Sequence, residues 1–303
     1  DKMYCTSSSD LEGILKWKKF TNSLRLRALL RVIDSDELGN LAKAELKKMM
    51  ADPATYPVFE SNDDNAKVHI SGIAPDEAPM TRPSDLSSYK SLSEFFINRL
   101  QAWKDPRLAV FAKQATNKNP ETGKNEKSYI GLPSGYDVEP TFTASSPNAA
   151  NLATAPQDIQ CLTYAEVLFI KAELAQRGLI SDDAKQLYEK AVTAAITQWG
   201  VEVPEGYFEN EKAAYDGTLR RIMEQKFYAL FFIDFQQWFE YNRTGYPDVP
   251  KGPGVDASLH MPYRFKYPAI LQRMNRNHYL EAVQSMGGDD FDTKLIWQKR
   301  PEL

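Results

Sequence analysis

Cysteine is nearly absent from this chain of 303 residues, where Cys5 and Cys161 stand alone and far apart. Two such residues announce neither a disulfide framework nor a metal knuckle, and they say little about redox compartment. Histidine is as scarce, and His69, His260 and His278 lie at no ligand spacing from one another or from a cysteine. No metal site and no cofactor is therefore expected. The glycine signatures of nucleotide and acyl-transfer enzymes are missing too. There is no G-x-S-x-G elbow and no phosphate-cradling G-x-x-x-x-G-K-[ST], and Gly252 and Gly254 enclose a proline in a loop. No run approaches the roughly 18 consecutive apolar residues of a membrane-spanning helix. Charge of one sign is also lacking: with a net charge of −4 and its lysines and arginines scattered among acids, the chain has no one-sided basic footprint. No nucleic-acid partner is expected. The first residue is Asp1, with no basic and apolar leader behind it, so any targeting segment is expected to have been removed or to lie upstream.

What is present describes a folded, soluble body. An apolar fraction of 42% and a charged fraction of 26% sit near globular averages. A chain of this size buries about three quarters of its unfolded surface, enough for a core without staples.

Helical signals dominate. Between Leu11 and Ile33, apolar residues at Ile14, Trp17, Phe20, Leu24 and Ala28 recur in steps of three and four, which predicts one buried stripe. Arg25, Arg27 and Arg31 then fall mainly on the other side, as a solvated or salt-bridged face. Ser91 with Glu94 has capping-box spacing and predicts a helix running to about Trp103. Thr163 with Glu166 repeats that spacing, and Gly178 is expected to close the helix in a left-handed cap. Its partner is predicted from Ser181 to Trp199. Ala172, Ala184, Tyr188 and Ala191 match the small and aromatic positions of the ~34-residue tetratricopeptide unit, while Leu168 and Lys171 do not match its Trp and Leu. A further helix is predicted from Thr218 to Tyr241. Its second half is apolar nearly all round, which marks Phe231, Phe232, Phe235, Trp238 and Phe239 as packing residues in preference to a ligand cage. Gly245 and Pro247 end it, with Arg243 near the carboxyl end, where the helix dipole favours a cation. A last helix is predicted from Ala269 to Met286.

Two tracts, about 52–90 and 116–160, are rich in Pro, Asn, Ser, Thr, Asp and Gly and lack sustained periodicity. Long irregular loops in compact domains are usually functional or flexible, so they are the best place for a binding surface. Their rings, Tyr56 and Phe59 in one, Tyr129, Tyr136 and Phe142 in the other, fall on no helical stripe. Acid clusters at Asp63–Asp64, Asp182–Asp183 and Asp289–Asp290 with Asp292 lack the full calcium-loop pattern and read as turns and helix caps. Asp182 and Asp183 fit as first-turn acids beside Ser181.

Several phrases then occur in order: WKKFTNSLRLRALLR from Trp17, SLSEFFINRLQAWKDPRLAVFA from Ser91, YIGLPSGY from Tyr129, LTYAEVLFIKAELAQRG from Leu162, RRIMEQKFYALFF from Arg220, YNRTGYP from Tyr241, and RFKYP from Arg264 through KLIW at Trp297. Together they resemble the SusD/RagB family of nutrient-binding outer-membrane lipoproteins over nearly the whole chain. The resemblance implies an all-α fold of tetratricopeptide-like helix pairs packed with a loop-rich region, here one domain over 1–303. It implies a location on the cell surface of a Gram-negative bacterium, and membrane contact through a lipid anchor on an N-terminal cysteine absent from this chain. It also implies partnership with a SusC-like TonB-dependent transporter and capture of an oligosaccharide without cleavage, so no catalytic residue is assigned.

Family chains are longer, and the part without a counterpart here is the N-terminal part. Cys5 is not expected to be the anchor, because core phrases begin about a dozen residues later; Asp1 opens either a fragment or an unusually short member. Asn242 stands where the family often has a second arginine, and Gln298 where it often has another aromatic.

The matched phrases are framework, so ligand residues do not transfer from them. Because rings lie flat against the apolar faces of sugars, Tyr56, Tyr129, Tyr136 and Phe142 are the candidate ligand residues. The alternative is that these aromatics pin loops to the body. Three functions stay open at this point: glycan capture, binding of peptide by a nutrient-uptake protein or a helical-repeat adaptor, and a helical carbohydrate-active enzyme.

Overall fold

Chain order and capping chemistry build a helical body from pairs. The computed structural model describes residues 1, 3–5, 7, 9–77, 86 and 90–299. Helix α1 (Leu11–Arg31) starts where the Asp10 side chain accepts from Gly13 N, and α2 (Gly39–Ala51) returns along it. Strand β1 (Ala66–Ile70) follows, then α3 (Glu94–Trp103), α4 (Arg107–Phe111), a β2–β3 hairpin (Ala115–Lys118 and Asn125–Ser128) and α5 (Ala149–Leu152). Strand β4 (Gln157–Leu162) pairs antiparallel with β1 and leads into the central pair α6 (Tyr164–Gln176) and α7 (Ala184–Thr197). Helices α8 (Leu219–Ala229), α9 (Gln236–Thr244), α10 (Ala269–Met274) and α11 (Arg276–Met286) complete the described order.

Helix α6 divides the interior. Its Leu168, Phe169 and Ala172 face a large aromatic-rich core built with α3, α4, α7 and α8, in which Trp103, Phe111, Tyr188 and Tyr228 are fully buried. Its Val167, Ile170 and Leu174 face a smaller core with Leu26, Leu30, Leu46 and Phe59 from α1, α2 and the loop after it. A helix buried on nearly every side is apolar over most of its surface, and the carboxylates that α6 does bury, Glu166 and Glu173, are each paired with an arginine, Arg27 and Arg243. Thr163 accepts from Glu166 N, and Gly178 closes the helix at φ 67° with Leu179 N donating to Leu174 O, as the spacing predicts.

Several boundaries differ. The cap of α3 is Ser93, which accepts from Phe96 N, and not Ser91. Asp183, not Ser181, caps α7 by accepting from Lys185 N and Gln186 N. The predicted Thr218–Tyr241 helix is two helices: Thr218 caps the first, but Phe232 and Asp234 turn left-handed at φ 66° and 44° and redirect the chain before α9. The Ala269–Met286 helix likewise breaks at Asn275. The buried stripe of α1 is also shifted, with Leu24 41% exposed while Asn22 and Ser23 are buried. The reason is a polar docking of the loop that follows α2: Asn22 Nδ2 donates to Pro57 O at 2.9 Å, and Ser23 Oγ accepts from Phe59 N at 3.1 Å.

Arg27 and Arg31 of α1 do not form an open face. Arg27 grips Glu166 through Nε and Nη2 at 2.7 and 2.6 Å. Arg31 lies between the rings of Phe239 and Trp297, 4.9 and 5.2 Å from their centres, and donates to Gln236 Oε1. The two irregular tracts carry β1, most of the β2–β3 hairpin, α5 and the start of β4, so paired backbone holds them; residues 78–85 and 87–89 of the first tract lie outside the described residues.

Candidate functional site

A cavity of about 600 Å³ opens among loops at one end of α9. Its walls come from Ser134 and Gly135, from the segment between Val249 and Tyr263, from Asp292 and Lys294, and from Tyr241 of α9. That volume lies within the range of small-molecule sites.

Glycine makes the wall possible. At Gly252 an added Cβ would sit 1.8 Å from Ser134 O, and at Gly254 it would sit 2.4 Å from Tyr136 O. The two backbones touch, and Gly254 N donates to Gly135 O at 2.7 Å. The 130–135 stretch is itself fixed to the body, because Leu132 N donates to Leu92 O and Glu94 N donates to Leu132 O, both at 2.8 Å. YIGLPSGY and KGPG are thus the two halves of one interlocked wall.

Helix α9 positions the opposite wall. Trp238 Nε1 donates to Pro262 O at 3.1 Å, and Asn242 Nδ2 donates to Pro262 O and Tyr263 O at 3.3 and 3.2 Å. Gln298 Nε2 also donates to Tyr263 O, while its Oε1 accepts from Leu295 N at 2.7 Å. Asn242 and Gln298, the two departures noted in the sequence, therefore converge on one carbonyl of the cavity wall. Replacing both with alanine is expected to leave buried carbonyls short of donors, at about 1–2 kcal/mol for each amide removed. The double variant should show faster limited proteolysis between residues 256 and 266; an unchanged cleavage rate would mean that the wall is held by other contacts.

The stretch from Phe231 to Phe239 plays a mixed part. Phe231 and Phe232 pack on the large core, and Trp238 and Phe239 are half-buried in a cluster that includes Phe265 and Trp297. Phe235, expected to pack, is instead 50% exposed, because the left-handed turn before it swings its side chain out of the core.

The charged groups around the cavity are already engaged. Lys251 Nζ donates to Ala257 O at 2.5 Å, His260 Nε2 meets Asp292 Oδ1 at 2.9 Å, and Lys294 Nζ lies 4.9 Å over the Tyr263 ring. Ser258 Oγ donates to Asp256 Oδ1 at 2.6 Å. The acid clusters act as turns and ties: Asp290 accepts from Asp292 N and Thr293 N, and Asp289 accepts from Arg264 Nη1 and Tyr267 N. Among the described residues no group of three or more His, Cys, Asp and Glu side chains is arranged to hold a metal ion.

The four loop aromatics are not brought together. Tyr56 packs on the smaller core under Arg25 and Lys48, and Tyr129 packs on the larger one. Tyr136 and Phe142 are 41% and 37% exposed. Tyr136 alone adjoins the cavity, through the backbone contact with Gly254. The segment 249–263 escaped the sequence reading. Its signal was Gly252 and Gly254 around Pro253, which spacing presents as punctuation and only the fold reveals as close backbone approach.

Over residues 11–268 the chain matches the SusD-like family described as starch-binding and associating with the outer membrane. Among solved structures it is similar to a chitin-binding protein, with a TM-score of 0.77 and 27% identity over 94% of this chain and 65% of that one. It is similar also to a Bacteroides vulgatus outer membrane protein described as involved in nutrient binding, with a TM-score of 0.80 and 27% identity over 99% of this chain and 69% of that one. A SusD homologue from Bacteroides thetaiotaomicron shares the fold, with a TM-score of 0.78 and 23% identity over 100% of this chain and 68% of that one. The chain therefore spans 65% to 69% of these relatives' lengths. No curated protein sequence matches it. Among the described residues no helix is long and apolar enough to cross a membrane.

Proposed function

The chain belongs to the SusD-like family, and from that premise we propose that it binds a nutrient glycan at the loop-walled cavity, without cleaving it. Delivery of that glycan to a SusC-like TonB-dependent transporter at the outer membrane of a Gram-negative bacterium is part of the same reading. Family members are binding proteins and not enzymes, and the relatives described as chitin-binding and nutrient-binding support this use of the fold. The observation that carries it is the cavity itself, about 600 Å³ and walled by loops that a helical scaffold holds at both ends. Rigid scaffolds that present loops are where binding residues concentrate.

Leu259, His260, Met261 and Tyr263 are the proposed contact residues in the cavity. Tyr136 is proposed beside them, while Tyr56 and Tyr129 hold loops on the two cores and Phe142 offers a half-exposed ring on the hairpin side. Affinity electrophoresis through gels containing a panel of polysaccharides tests the reading, with a peptide mixture examined in parallel by calorimetry. Retardation by a glycan that is not degraded is expected, and His260→Ala with Tyr136→Ala should reduce it about tenfold. Heat from peptides with no glycan retarded would move the function to peptide uptake. Release of reducing ends dependent on an Asp or Glu would overturn the binding-only view.

A further inference from the structure

Helices α10 and α11 pack together without burying a single residue. Their inner side is tied to the body, because the Tyr267 and Tyr279 rings meet edge to face at 6.0 Å, and Tyr279 donates to Asp289 at 3.1 Å, the carboxylate that also accepts from Arg264. The outer side is left exposed. On α10, Ile270, Arg273 and Met274 stand at i, i+3 and i+4, and on α11 Arg276 and Leu280 stand at i and i+4, so each helix carries a row that mixes apolar and cationic side chains. Ile270 is 57% exposed, Met274 78% and Leu280 48%.

Single exposed apolar residues are ordinary on a protein surface, but here they coincide with a second observation. Each of the other described arginines lies beside a carboxylate. Arg273 and Arg276 form no ion pair and no side-chain hydrogen bond among the described residues, and the nearby Glu281 stands by His278 at 3.2 Å. Unpaired guanidiniums take phosphate oxygens in bidentate fashion, and helices that lie in a membrane interface set apolar side chains beside Lys and Arg in this way. A partner helix would need a groove, whereas the space between α10 and α11, lined by Leu271, Tyr279 and Ala282, is about 210 Å³ and falls below even the roughly 300 Å³ at which small-molecule sites begin.

We propose that the outer face of the α10–α11 hairpin rests on the phosphate-bearing headgroup layer of an anionic bilayer, as a contact separate from any lipid anchor. Ile270, Met274 and Leu280 enter the apolar boundary of that layer, and Arg273 and Arg276 hold its phosphates. The contact rests on the outer-membrane location given above and is independent of what the cavity holds.

Flotation of the intact chain with vesicles of phosphatidylcholine alone, and of phosphatidylcholine with about one third phosphatidylglycerol, tests this. At low salt the chain is expected to partition at least about tenfold better onto the anionic vesicles, and about 0.5 M salt should remove the difference. Arg273→Gln with Arg276→Gln should abolish the preference for anionic lipid, and Ile270→Ser with Met274→Ser should weaken partition about tenfold. All four side chains are exposed, so both variants should melt as the parent does. Lys185→Gln with Lys190→Gln removes the same charge from the exposed side of α7 and should leave partition unchanged. Equal partition onto the two vesicles, or an equal loss in the α7 variant, overturns the membrane face and leaves glycan capture standing. Antibody labelling of intact cells reads the location separately, so the vesicle contact and the outer-membrane reading fail independently.

Discussion

Replacing Arg243 with methionine is expected to lower folding stability by about 3–5 kcal/mol at neutral pH, the cost of stripping the shared cation from two buried carboxylates. Arg243 is fully buried in α9 and grips Glu173 of α6 through Nη1 and Nη2 at 2.8 and 2.7 Å. The same Nη2 donates to Glu240 at 2.6 Å, and Lys226 of α8 reaches Glu240 at 2.8 Å. Burial works against charge on Glu173 and Glu240, but Arg243 and the neighbouring cations outweigh it, so both carboxyls are held below the ordinary glutamate value. A depressed carboxyl contributes stability that is full above the unfolded value of about 4.3 and fades as pH falls through the folded one.

In the variant the sign reverses at Glu173, which keeps only Arg177 at 2.9 Å and for which burial should now dominate. Its carboxyl should rise, so the deficit against the parent chain is expected to narrow as pH falls from about 7 towards 4.5. Urea denaturation at the two pH values reads both effects. Adding Glu173→Leu to the methionine variant should recover part of the loss, because it removes the stranded charge. A single-variant loss below about 1 kcal/mol would place the network with weak surface pairs and remove its role as the lock between α6 and α9.

The second large effect is expected at Arg107→Ala, at about 3–5 kcal/mol. Asp105 and Arg107 are both buried, and the guanidinium meets the carboxylate through Nε and Nη2 at 2.8 and 2.6 Å. Tyr207 donates its hydroxyl to Asp105 at 2.6 Å, and Gln225 of α8 bridges Arg107 and Tyr207 at 2.9 and 3.1 Å. Burial opposes the charge on Asp105, and Arg107 with Tyr207 overcomes it, holding the carboxyl below its ordinary value. The four side chains join α4, α8 and the turn at Tyr207 at the edge of the aromatic core. Tyr207→Phe should cost only about 1 kcal/mol, since Asp105 keeps its arginine. Equal losses for the two substitutions would mean that the hydroxyl, and not the charge pair, organises this junction.

Much of the helical body was legible in the sequence, because caps act locally. Thr163, Thr218, Gly178 and Gly245 each need only their own turn, and each stands where spacing puts it. Periodicity failed where polar groups are the buried ones. Asn22 and Ser23 look solvent-facing by composition, yet they dock the 57–59 loop, and Arg27, Arg107 and Arg243 are buried or largely buried beside carboxylates distant in sequence or, as with Asp105, paired across a turn. The candidate site was legible only in part: Tyr136 adjoins it, but Leu259, His260 and Met261 fall on no stripe and in neither long tract.

The sequence by itself determined the helix-rich class, the family and the central pair around α6, since apolar period, capping residues and ordered framework phrases are properties of the chain read in one direction. Only the tertiary structure decided where the 218–241 helix breaks, which arginines are interior, and that residue 252 must be glycine because a Cβ there would sit 1.8 Å from Ser134 O. These depend on residues distant in the chain meeting in space. A cavity walled by Ser134, Leu259 and Asp292 therefore exists only once α9 has brought their loops together.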